Sequence, residues 1–149
     1  MVRHLDFVIH LNLGFLHLKF SNSMAEFKAQ TSNGNRVYDL EERTALFGEQ
    51  VIDSVKLLPK GVVNNELISQ LVRSGTSIGA NYMEADGAES KKDFKHKIAI
   101  CKKEARENKH WLRMLLKTNP DRAVECKRLS KEVHELTLIF SSILLSKKK

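Results

Sequence analysis

The chain has 149 residues, a formal net charge of +7 and a pI near 9.5. Hydrophobic residues make up 42% and charged residues 29%, which suits a single cored domain and excludes a chain of membrane spans. The basic balance favours polyanionic partners, nucleic acid or anionic membrane surfaces. Only two prolines and seven glycines interrupt the chain, so long helices are expected.

Residues 1–23 stand apart. Leu5, Phe7, Ile9, Leu11, Leu13 and Phe15 alternate with Asp6, His10, Asn12 and Gly14, closer to a strand period than a helix period. The polar interruptions exclude a secretory signal and a transmembrane helix. Two readings stand: translation begins at Met24, or the leader is a short extension packed on the remaining chain or on a neighbouring subunit. The polar segment AQTSNGNR, Ala29 to Arg36, is a linker. The division is therefore 1–37 leader and linker, 38–146 helical domain, and 147–149 basic tail.

Four helices are predicted in order. Asp39 caps the first, with Glu42 three residues on. Leu40, Thr44, Phe47, Val51, Val55 and Leu58 form its inner stripe, and Pro59-Lys60-Gly61 ends it. The second runs from Asn64 or Asn65 to about Asp86, with Ile68, Leu71, Val72, Gly75, Ile78, Gly79 and Tyr82 on one side. Glycine on a buried face costs helix propensity and is tolerable where a neighbouring helix approaches closely. Ser90 caps the third, which continues to about Lys117. The fourth has Asn119 as cap and Pro120 in the first helical position, with Cys126, Leu129, Val133, Leu136, Phe140 and Leu144 inward. Short connections between amphipathic helices predict an all-α, antiparallel, up-down-up-down four-helix bundle.

The third helix is the most informative. At about 100° per residue from Lys92, Phe94, Ile98, Cys101, Ala105, Leu112, Leu115 and Leu116 occupy roughly 140° to 240°, the core face. Lys92, Lys95, Lys102, Arg106, Lys109, Arg113 and Lys117 fall between roughly 260° and 360°, with no acid among them. Asp93, Glu104 and Glu107 lie on the other flank with Ile100 and Trp111, and Met114 is nearby. A basic flank opposite an acidic, apolar one predicts head-to-tail association. Trp111, Ile100 and Met114, with Leu138 and Leu145 of the fourth helix, are the expected oligomer contacts; Val124 is further surplus apolar surface. The basic flank is read as a solvated lysine face, as a line of phosphate contacts with Arg73 of the second helix a weaker contributor, or as an interaction surface met by acidic residues of a neighbouring subunit or protein partner. No aromatic residue interleaves with it, so contact is expected with nucleic-acid backbone, not by base stacking.

Catalytic and metal constellations are weak. Asp93-x-x-His96 and Glu107-x-x-His110 have metal-pair spacing, but both lie on one helix with their histidines off the core face. Arg128 and His134 have the arginine–histidine spacing of some four-helix ribonucleases, yet point about 120° apart on a regular helix. Cys101 and Cys126 are read as reduced core residues of a cytoplasmic protein. No phosphate loop, nucleophile elbow or Cys-x-x-Cys occurs. No enzyme activity, cofactor or metal is expected.

The stretches QLVRSGTSIGANYMEA and KKDFKHKIAICKKEARENKHWL, within Tyr38 to Ser146, resemble the four-helix-bundle proteins encoded in intervening sequences of large-subunit ribosomal RNA genes. Arg73, Ser74, Ser77, Ile78, Asn81 and Glu84 match the pattern of that family. The chain is also similar to the accessory variability proteins of diversity-generating retroelements. The resemblance implies a homopentamer, a nucleic-acid partner (RNA or DNA) and, by likeness alone, a reverse transcriptase partner.

Overall fold

The computed structural model describes residues 39–146; the leader, the linker and the three terminal lysines lie outside them. Among the described residues the chain is all-α. It consists of α1 (Leu40–Lys56), α2 (Val62–Asp86), α3 (Lys91–Thr118), a short 3-10 turn (Pro120–Arg122) and α4 (Ala123–Leu145).

The expected caps form at two of the four starts. Asp39 accepts from the Glu42 N–H at 2.9 Å, and Ser90 Oγ accepts from the Asp93 N–H at 3.1 Å, so each satisfies an orphan amide of a first turn. The other two starts differ. α2 begins two residues before Asn64, at Val62. The Asn64 side chain instead turns back to donate to the Pro59 carbonyl at 2.9 Å. Asn119 does not cap α4. Its amide donates to Asn64 Oδ1 at 3.0 Å and to the Leu115 carbonyl at 3.2 Å, so it closes α3 and ties that end to the start of α2. The chain then needs the 3-10 turn before α4 begins.

α1 packs on α2 and α4, α2 on α3, and α3 on α4. α1 and α3 are therefore diagonal partners, and their solvent faces look away from each other. The core is built from Phe47, Val51, Leu71, Ile78, Ile98, Leu112, Leu129, Val133, Leu136 and Phe140, all 1% exposed or less. Tyr82 and Phe140 bring their rings to 6.4 Å across it. Burial, reinforced by Asp86, Asp39 and Glu41, pushes the Tyr82 hydroxyl up to about 12.

The glycines on the buried face mark the close approach of α1 and α2. A Cβ on Gly79 would sit 3.5 Å from the Thr44 backbone, and one on Gly48 3.6 Å from Thr76 Cα. At Gly75 a Cβ would come within 3.0 Å of Asn108 Nδ2 and 3.2 Å of Val51. Here the missing side chain is what lets three helices meet.

The numbering of paired residues runs in opposite senses on neighbouring helices. On α2 and α3, Leu71 meets Asn108, Ile78 meets Cys101, and Glu84 meets Lys97. On α1 and α4, Arg43 meets Glu132 and Glu135, Gln50 meets Arg128, and the Leu57 carbonyl beyond α1 meets Arg122.

Candidate nucleic-acid interface

α3 is 28 residues long, and its two sides serve different purposes. Ile98, Cys101, Ala105, Leu112 and Leu115 are buried, as the helical phase requires. Burial pushes the Cys101 thiol up to about 12, and both Cys101 and Cys126 are free and buried. Two polar residues share this side, and the sequence reading did not place them there. Asn108 is fully buried and donates to the Leu71 carbonyl at 2.8 Å and to Ser74 Oγ at 3.0 Å. Glu104, expected on an exposed acidic flank, is only 6% exposed. Its Oε2 and Asn108 Oδ1 have no hydrogen-bond partner among the described residues.

That finding corrects the picture of a free acidic flank on α3. Glu107 is also engaged: it pairs with Arg73 and accepts from Trp111 Nε1 at 3.2 Å. Asp93 is half-buried beside its cap. These acids do not form a free row on the surface of this helix.

The basic flank is as expected in position. Lys92, Lys95, Arg106, Lys109, Arg113 and Lys117 are exposed and Lys102 is half-buried. None of the seven forms an ion pair with another described residue. Cations elsewhere do: Arg43 bridges Glu132 and Glu135, Lys97 meets Glu84, and Arg128 meets Glu125. Arg73 belongs with this second group, because Glu107 and Gln70 occupy its guanidinium. The line from Lys92 to Lys117 is about 37 Å long at the rise of an α-helix. Midway, a shallow depression of about 350 Å³ is lined by Ala99, Lys102, Lys103, Arg106 and Glu107.

The expected oligomer contacts divide. Leu138 and Leu145 of α4 are 54% and 80% exposed. Ile100 and Met114 are half-buried. Trp111, placed off the core face and expected as an oligomer contact, is half-buried and packs against the core, with its indole N–H anchored on Glu107 and His110 at its edge.

Arg128 and His134 are not brought into one site by any shared partner. Arg128 donates to Glu125 and to Gln50 at 2.9 Å, and the bond to Glu125 raises its already high pKa. His134 is exposed. Among the described residues no group of three His, Cys, Asp or Glu side chains could hold a metal ion. No helix among them is long and apolar enough to cross a membrane.

Among the described residues, these features define an all-α protein of four α-helices whose longest helix buries one side and lines the other with cations that no described acid pairs. A family model described as 23S rRNA-intervening sequence protein matches residues 38–142, and the chain belongs to that family. Among solved structures, a protein of unknown function from the S23 ribosomal protein family of Bacteroides thetaiotaomicron is similar at 30% identity. The match covers 71% of this chain and 98% of that one, with a TM-score of 0.64. No curated protein matches the chain.

Proposed function

We propose that this chain is a non-enzymatic, homo-oligomeric helical protein of the cytoplasm that presents the outward flank of α3 to nucleic-acid phosphate. Its helices follow an antiparallel up-down-up-down course, in keeping with the opposed numbering of paired residues. A pentamer is the stoichiometry that the resemblance to retroelement accessory proteins implies. The observation that carries the reading is the row of seven aligned cations, none neutralised by a described acid, on a helix where Glu104 is buried, Glu107 is engaged and Asp93 is half-buried. Seven uncompensated charges in a line repel one another. Phosphate relieves that repulsion and releases counterions as it binds. With no aromatic residue on the flank, the contact is to backbone and carries little sequence preference.

The test compares two charge reversals in the full chain. Lys109→Glu with Arg113→Glu removes two contacts from the flank. Lys127→Glu with Lys131→Glu changes the net charge equally on exposed positions of α4. In gel-shift titrations against duplex RNA, duplex DNA and heparin, the first pair binds markedly more weakly and the second retains most of its affinity. Equal losses would make the attraction a property of net charge and overturn the reading.

A further inference from the structure

The solvent arc of α1 is the opposite of that of α3 in charge. Glu41, Glu42, Ala45, Glu49, Ile52 and Asp53 are all exposed and fall within roughly 120° of the helix circumference. One lysine, Lys56, stands at the end of the arc and is paired with Asp53 at 2.8 Å. Four acids therefore face away from the molecule on α1, and seven cations face away from it on the diagonal helix α3. No contact within one chain can join the two surfaces.

We propose that the α1 arc is the docking surface for the α3 flank of a second copy of this chain. The self-association in the proposed function is the premise; the pair of surfaces is what is added. The fit has an apolar centre as well as complementary charge. Ile52, 36% exposed, projects between Glu49 and Asp53. The depression on α3 is lined by Ala99, Lys102, Lys103 and Arg106, with Glu107 on the side held by Arg73. With α1 of the second copy running in the same direction as α3, Glu49 and Asp53 meet Lys102 and Arg106, and Ile52 enters the depression between them. The surfaces differ and lie on diagonal helices, so the contact is heterologous and propagates from copy to copy, closing into a ring if the rotation allows. The acids from Glu41 to Asp53 span about 18 Å, against about 37 Å for the cations. One docked α1 thus covers about half of the flank and leaves the half toward Lys117 open to phosphate.

The test is a charge exchange read by light scattering and sedimentation of the full chain at low salt. Wild type is expected to be oligomeric, and its mass to fall as salt screens the contact. Glu49→Lys with Asp53→Lys, and separately Lys102→Glu with Arg106→Glu, each lower the mass toward that of one chain, with circular dichroism unchanged. The combined fourfold variant regains the oligomer, because the attraction is restored with reversed sign. An oligomer whose mass neither pair changes, or a fourfold variant that stays dissociated, would overturn the pairing. Glu49→Lys with Asp53→Lys leaves every flank cation in place. Its retained binding to duplex RNA, alongside loss of mass, separates this proposal from the nucleic-acid reading. If Lys109→Glu with Arg113→Glu fails to weaken RNA binding while the charge exchange behaves as stated, the nucleic-acid reading fails alone.

Discussion

On the inner side of α3, Ile98, Cys101, Ala105 and Leu112 are at most 1% exposed, and even the polar Asn108 finds two acceptors on α2. On the outer flank of the same helix, seven cations find none among the described residues. One side is accounted for by the chain's own contacts, and changes there are changes of stability. The other is accounted for by no contact among the described residues, so changes there should alter what the protein meets and leave its folding intact. Surface substitutions away from caps and networks usually shift stability by about 0.5 kcal/mol or less, whereas a core truncation costs several times that.

The largest effect expected is on the inner side. Leu112→Ala leaves a cavity between α3 and its neighbours and is expected to cost about 2–5 kcal/mol, read from chemical denaturation. A cost near that of an outer-flank substitution would break the distinction between the two sides.

Next in size is Gly75→Leu. A helix interior gains about 1 kcal/mol when glycine is replaced by a good helix former. Here the new side chain must displace Val51 and Asn108, which stand 3.2 Å and 3.0 Å from where its Cβ would be, already closer than ordinary van der Waals contact. Overpacking of that kind costs about 1–3 kcal/mol or more, so a net loss is expected in the same denaturation experiment. A gain would mean that α1 and α2 part easily and that the glycines mark no close contact.

A smaller effect is expected in alkali. The Cys101 thiol ordinarily ionises near 9.0 and is held up to about 12 in the fold; Tyr82 moves from 10.0 to about 12. Both raised values mean that the folded chain keeps protons that the unfolded chain releases. Their stabilising contribution is present in full below pH 9 and is lost as pH rises from about 9 toward 12. The thermal midpoint should fall over that window, and Cys101→Ala should shallow the fall. A fall of the same steepness in that variant would place its cause elsewhere.

The apolar period carries most of the fold. All six inner positions assigned to α1 are buried or packed on the core, and Cys126, Leu129, Val133, Leu136 and Phe140 are buried on α4. Here transfer from water dominates, and a local pattern suffices to read it. What escaped the sequence depends on partners distant along the chain. Asn108 looks like a solvent residue until α2 supplies Ser74 and the Leu71 carbonyl, more than thirty residues away, and Glu104 until the packed helices bury it. Asn119 has the composition of a helix cap, but Asn64 captures its amide. Trp111 falls off the core stripe by angle and still reaches the core through the length of its side chain. The basic flank was legible because it depends on one helix alone. The acidic arc of α1 gains its meaning only from the contacts that set it diagonal to α3.

The central claim is that the outer flank of α3 exists to meet phosphate. It is tested most directly by the salt dependence of nucleic-acid binding by the full chain, with wild type and the Lys109→Glu, Arg113→Glu variant titrated on one duplex. Each phosphate contact contributes about −0.9 to the slope of log K against log salt on duplex DNA and about −0.7 on single strands. Wild type is expected to show a steep slope, and the variant a slope shallower by about two, one for each contact removed, with an unchanged thermal midpoint. Two parallel lines, or a wild-type affinity indifferent to salt, would contradict the claim.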